Sequence, residues 1–189
     1  MLLSVNPIEK FDMTTESEKP KTADDWFQEG VALGRLGHNG SAIQAYERAV
    51  ELEPNHFKAY FNMAVRYGKL LMNIKAAESF RKALEIKPDD VMTHYSLAVI
   101  SNLIGDSDEA FKHYEEAILL NPSFAKAYSN MAMMYYAVKQ GRPTIENLLK
   151  ARKLFGEQGD EMMAANATDL LSECYKEFGM SPEDFSEFT

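Results

Sequence analysis

Chemistry at a protein site begins with side chains that ionise, ligate or attack, and in this chain they are few and scattered. The four histidines are His38, His56, His94 and His113, and the one cysteine is Cys174. A metal site needs ligands that converge. No His-Glu-x-x-His run, paired-cysteine spacing or glycine-rich phosphate loop is present. His38 falls in a turn, His56 in a link between helices, and His94 at a core position of a helical pattern. Cys174 lies on the apolar side of a helix with no oriented base beside it, so it reads as a buried filler and not a nucleophile. These residues predict no enzyme, no cofactor and no metal. Asn39-Gly-Ser41 and Asn166-Ala-Thr168 match the glycosylation sequon, which means nothing without a secretion signal.

Composition narrows the partners. Lys+Arg number 20 against 29 Asp+Glu, a net charge of −9. That balance lacks the basic footprint a phosphate backbone requires, so no nucleic acid is expected. A single cysteine excludes an intrachain disulfide. No apolar run approaches a membrane span, and residues 1–5 are too short for the core of a signal peptide. The expectation is a soluble, cytoplasmic protein with no membrane association. Its 189 residues suffice for one domain with a real core.

The elements that would position any site repeat along the chain. Asp108 to Pro122 forms an amphipathic helix stopped by a proline, with Ala110, Tyr114, Ala117 and Leu120 on one apolar stripe. Thirty-four residues earlier stand Ala76, Phe80, Ala83, Ile86 and Pro88, and 34 before those Ala42, Tyr46, Ala49, Leu52 and Pro54. A period of this length is a whole-fold signal. With Pro54 at position 32, the repeats run 23–56, 57–90, 91–124 and 125–158. Position 4 is then Trp26, Tyr60, His94 and Tyr128, and position 8 is Gly30, Ala64, Ala98 and Ala132. The small residue at 8 faces the small residue at 20 (Ala42, Ala76, Ala110), so two helices approach closely. Gly37 and Gly105 fill the turn at position 15, where positive φ is cheap for glycine; repeat two carries Leu71 there, so its turn is expected to close another way.

These residues resemble the tetratricopeptide repeat, whose pattern is Trp-x-x-Leu-Gly-x-x-Tyr followed by Ala, Phe or Tyr, Ala and Pro. The resemblance covers Thr22 to about Gly156. It implies an all-α fold: an α-solenoid, a right-handed superhelix of four helix pairs whose first helices line a concave groove. It says little about function, because the family is a scaffold for many partners. Repeat four departs, with Thr144 in place of the alanine, Gly156 in place of the proline and Gly141-Arg-Pro143 expected to make the turn. Asp160 caps a last helix at 161–178 that Gly179 ends, so 159–179 reads as the terminal cap a stack of repeats needs. Residues 180–189 read as one turn and an acidic tail. Residues 1–21 read as a flexible segment, with a single helical turn near 6–11.

The first helices carry the candidate binding residues, on the side away from the core. Position 9 is Val31, Val65, Val99 and Met133, and position 5 beside it includes Phe27, Phe61 and Tyr95. Met92 and Leu103 extend the same stripe. Two readings stand: these side chains pack between neighbouring first helices, or they receive apolar side chains of a partner. Asn62 and Asn130 occupy position 6, where asparagine in some family members grips a ligand main chain. Arg35, Lys58, Lys69 and Lys126 also face the groove, either as a solvated face or as anchors for an acidic partner. The family's clamp for acidic chaperone tails is not matched. From repeat one its positions hold Phe27, Val31, Asn62, Met92 and Ser96, where only Asn62 fits; from repeat two, only Lys126 fits.

The expected function is therefore a non-enzymatic module that takes a peptide or helical segment of a protein partner in the groove. The alternative is a self-assembling unit, a homo-oligomer built through the groove with the N-terminal segment or the cap helix. Residues 1–11 are apolar in places and Asp12, Glu16 and Glu18 are acidic, so that segment is also a candidate built-in ligand for the groove.

Overall fold

The computed structural model describes residues 21–188. The N-terminal turn expected near residues 6–11, and the docking of that segment in the groove, fall outside the described residues. Eight helices form four antiparallel pairs: α1 (Ala23–Arg35) with α2 (Asn39–Leu52), α3 (Phe57–Lys69) with α4 (Asn73–Ile86), α5 (Val91–Leu103) with α6 (Ser107–Leu120), and α7 (Ala125–Ala137) with α8 (Gly141–Glu157). α9 (Glu161–Phe178) follows. Each helix packs on its neighbours in sequence, which is the contact pattern of a solenoid.

Local rules set the helix ends. Thr22 and Asp25 form a reciprocal capping box, with Asp25 N donating to Thr22 Oγ1 at 3.2 Å and Thr22 N to Asp25 Oδ2 at 2.8 Å. Asp90, Asp106 and Asp160 cap α5, α6 and α9 without the return bond, each carboxylate accepting the backbone N–H three residues on. Pro54, Pro88 and Pro122 stop α2, α4 and α6 two residues after the helix end. Where Gly156 replaces the proline, nothing stops α8, and it runs to 17 residues against 14 for the other three.

The core is built on small residues. Ala42, Ala64, Ala76, Ala98, Ala110 and Ala132 have no exposed surface, and large rings such as Tyr46, Phe80 and Tyr114 fill the space beside them. In repeat one the clearance is tighter: a Cβ on Gly30 would stand 2.5 Å from the Tyr46 ring, so glycine replaces alanine there. Thr144 takes the alanine position of repeat four fully buried, and its hydroxyl donates to Gln140 O at 2.7 Å. Across repeats two and three, Arg81 clasps Glu109 through two 2.7 Å hydrogen bonds, and Ser101 Oγ donates to the same carboxylate at 2.6 Å.

Three details differ from the sequence expectation. The turn of repeat two is not closed another way: Leu71 adopts φ 58° where Gly37 and Gly105 adopt 82° and 85°. Repeat four turns through Lys139, also at φ 58°, and not through Gly141-Arg-Pro143; Gly141 begins α8 and Pro143 sits third, where its missing N–H costs nothing. Residues 180–188 are not a free tail. Pro182–Phe188 forms a 3-10 segment, and Phe185 is fully buried against α8 and α9, with the Tyr175 ring at 6.0 Å and the Arg142 guanidinium 4.9 Å over its face. The last helix is thereby held from both sides. Phe178 lies close over Gly141, whose Cβ would meet its Cγ at 2.6 Å. Cys174 is buried in the same layer, and burial pushes its thiol above the ordinary range.

Two measurements test these readings. Phe185→Ala empties a closed site and is expected to destabilise the cap by about 3 kcal/mol, with hydrogen exchange rising first in α9; protection in α9 equal to wild type would show that the segment rests on the surface without holding it. Leu71→Gly removes the left-handed strain of an exposed side chain, and the urea midpoint is expected to rise by the equivalent of about 1 kcal/mol. A lowered midpoint would show that the leucine stabilises the turn.

Candidate functional site

The first helices α1, α3, α5 and α7 lie side by side and present their outer faces to one groove. Between α3 and α5 the groove deepens to an open cleft of about 360 Å³. Its floor is Ala64, Gly68 and Phe80, and its walls are Val65, Tyr95, Val99 and Ile100, with Lys69 at the rim. Gly68 is part of the lining, and a Cβ there would stand 3.5 Å from Ile100, in ordinary contact with it. Four of the residues expected from the sequence, Val65, Lys69, Tyr95 and Val99, thus meet in one place.

The other expected residues divide. Met92, Leu103 and Met133 are exposed large apolar side chains, and Val31 is half-buried against the core. Phe61 is half-buried, with its ring edge-on to Phe80 at 5.5 Å. Arg35, Lys58, Lys69 and Lys126 are exposed, and no ion pair among the described residues engages them. Phe27 is different. Only 8% of its surface is exposed, and it packs on Tyr46 at 5.9 Å and His56 at 4.9 Å, so it is a core residue and not part of a groove lining. Tyr95 packs on the equivalent Tyr114 and Phe124 at 6.0 and 4.9 Å but is only partly buried.

The two asparagines also part company. Asn130 Nδ2 donates to Tyr95 Oη at 3.2 Å and to Tyr114 Oη at 3.1 Å, so its amide hydrogens serve the protein. Burial pushes the Tyr114 phenol up to about 12, against the pull of that amide, so the hydroxyl stays neutral. Asn62 makes no such bond within the described residues, and its half-buried amide faces outward free. The signal was in the sequence. Asn130 follows a repeat with tyrosine at both positions 5 and 24, whereas the same positions before Asn62 are Phe27 and Tyr46.

Three of the four histidines are placed as structural groups, and His38 is exposed in its turn. His56 Nδ1 accepts from Ala59 N at 3.2 Å and caps α3. His94 and His113 bring their Nδ1 atoms to 2.9 Å, and His94 Nε2 lies 2.8 Å from Pro88 O. A carbonyl only accepts, so His94 Nε2 donates; its Nδ1 is then the acceptor, and His113 Nδ1 donates to it. Burial, then the neighbouring His94, lowers His113 to about 4; Glu109 opposes this, while Lys112 and Arg81 add to it. Among the described residues no group of three His, Cys, Asp or Glu side chains could hold a metal ion. No helix there is long and apolar enough to cross a membrane.

Paired helices stacked on small residues, with an apolar groove along one side, define a helical-repeat scaffold that presents surface to other proteins. The chain belongs to the tetratricopeptide repeat family: models of that repeat match residues 23–56, 57–90 and 93–124, more than half of its length. No curated protein matches the sequence. Among solved structures, a crystal structure of MamA superposes with a TM-score of 0.72 at 18% identity, over 75% of this chain and 83% of that one. A second MamA crystal structure gives 0.67 at 18% identity, over 82% and 90%. MamA from Desulfovibrio magneticus RS-1, from residue 41 to its end, gives 0.68 at 20% identity, over 72% and 77%. At these identities the likeness is one of fold.

The histidine pair supplies a pH test. The unfolded chain protonates His113 near 6.5, but the folded protein only near 4. Between those values the unfolded state binds more protons, so stability is full above pH 6.5 and falls as the pH drops toward 4, by up to about 3 kcal/mol. Thermal melts from pH 7.5 to 4 should show this slope, and His113→Gln, whose amide can still donate to His94, should remove most of it. An equal slope in both proteins would assign the acid sensitivity to carboxylates alone.

Proposed function

We propose that the protein is a non-enzymatic interaction module that takes an extended or helical segment of a protein partner along the groove of its first helices. The carrying observation is the open cleft between α3 and α5, where Val65, Tyr95 and Val99 surround space for one apolar side chain. Met92, Leu103 and Met133 continue the apolar surface on either side. An apolar anchor in a pocket with apolar flanks is how grooves of this size gain affinity. Asn62 offers a free amide to a partner's main chain. Lys58, Lys69 and Lys126 favour acidic residues beside the anchor, with the modest contribution of exposed charges. Phe27 has no part in this reading, and Asn130 contributes its carbonyl oxygen only.

The test compares proteins retained by the immobilised full chain with those retained by Val65→Asp/Val99→Asp. Partners of the groove should lose about tenfold or more in affinity, equivalent to about 1.4 kcal/mol, while the far-ultraviolet circular dichroism is kept. A photo-crosslinking residue at Met92 should capture the same partner, and one at Lys82 on an outer helix should not. Retention that ignores the double substitution would reject the groove as the binding surface.

A further inference from the structure

The four turns that join the helices of each pair stand side by side along one edge of the solenoid, next to the groove. They are unusually apolar. Leu71 is 82% exposed and Ile74 67%, with Leu70 and Met72 also exposed around them. Leu71 holds a left-handed backbone that glycine holds in two of the other turns, so neither burial nor backbone economy explains a leucine there. Lys69 and Lys75 flank this knob, and no acidic residue lies between them. The next turn has the same apolar character and the opposite charge. Leu103 is 62% exposed and Ile104 is exposed beside it. Asp106 and Asp108 follow, with no basic residue between 103 and 108. The two turns are neighbours, because α3 and α5 approach until Gly68 and Ile100 nearly touch.

We infer that this edge is a self-complementary docking surface whose occupant is a second copy of the chain. A two-fold axis between the second and third turns sets the basic turn of each copy on the acidic turn of the other. Leu71 and Ile74 of one then cover Leu103 and Ile104 of its mate, twice over. Lys75 meets Asp108, and again the pairing occurs twice. Asp106 already accepts from Glu109 N as a helix cap, so it is a fixed negative charge at the surface. An anionic lipid surface would suit Lys69 and Lys75 but would be repelled by Asp106, Asp108 and a net charge of −9. A second copy supplies both signs. The edge borders the groove and shares Lys69 and Leu103 with it, but Leu71, Ile74, Lys75 and Asp108, the residues substituted in the test, are not groove residues, so the two readings fail separately.

Sedimentation equilibrium of the full chain, from low micromolar to near millimolar concentration and at two salt levels, tests the inference. The expected result is a monomer–dimer equilibrium that salt weakens. Leu71→Gly/Ile74→Ser should weaken it by about tenfold or more, since each side chain is used twice, with no loss of thermal stability. Lys75→Glu should weaken it too, and Lys75→Glu/Asp108→Lys in one chain should restore it, because each new lysine again faces a carboxylate. A monomer at every concentration overturns the inference, as does a dimer indifferent to the apolar pair or a charge swap without rescue. A monomer that co-sediments with phosphatidylserine vesicles through Leu71 assigns the edge to lipid and also overturns it.

Discussion

The contact on which the structure depends is the one between two side chains of almost no size. Ala98 on α5 and Ala110 on α6, with their equivalents in the other repeats, leave no exposed surface and let two backbones approach as closely as helices can. Everything larger arranges itself around that approach. Tyr46, Phe80 and Tyr114 occupy the space where the helices splay, and in repeat one the fit is so close that even a methyl group at Gly30 has no room. Interiors of this density transmit shape and do not absorb it. A repeated close approach therefore becomes a repeated angle between pairs, and the angle becomes a groove.

The groove inherits a divided duty. Each first helix must pack on the pair before it and the pair after it, and what remains is a strip one or two side chains wide. Phe27, Phe61 and Tyr95 stand at one repeat position, yet the first is core, the second half-buried and the third a cleft wall bonded to Asn130. The ring partners do not make the difference: Phe27 on Tyr46 and His56, and Tyr95 on the equivalent Tyr114 and Phe124, stand at nearly the same distances, but Tyr95 carries a hydroxyl that accepts from Asn130 and Phe27 has none. Equivalent sequence positions are not equivalent sites.

The ends of the stack face another constraint. A solenoid exposes an apolar face wherever it stops. At the C-terminal end α9 covers that face, Phe185 returns beneath it, and Glu177 reaches back to Tyr136 and Lys139 on α7 and its turn. The first described pair differs in the residue itself: Glu29 stands where Met63, Leu97 and Met131 are buried in later repeats.

By itself the sequence determined the helix pairs, their 34-residue spacing and the last helix from Asp160 to Gly179. The physical reason is locality. Apolar periodicity, capping side chains and prolines act within a few residues, so their outcome is written where it happens. The tertiary structure alone decided three things: that Leu71 and Lys139 bear positive φ, that Phe27 is core, and that Phe185 is buried in a stretch of acidic composition. Each of these depends on a partner tens of residues away, or on the shape of the whole stack. A leucine accepts a strained turn only because the helices on both sides leave it no other closure. A phenylalanine near the end of the chain is buried only because α8 and α9 leave a hollow of its size.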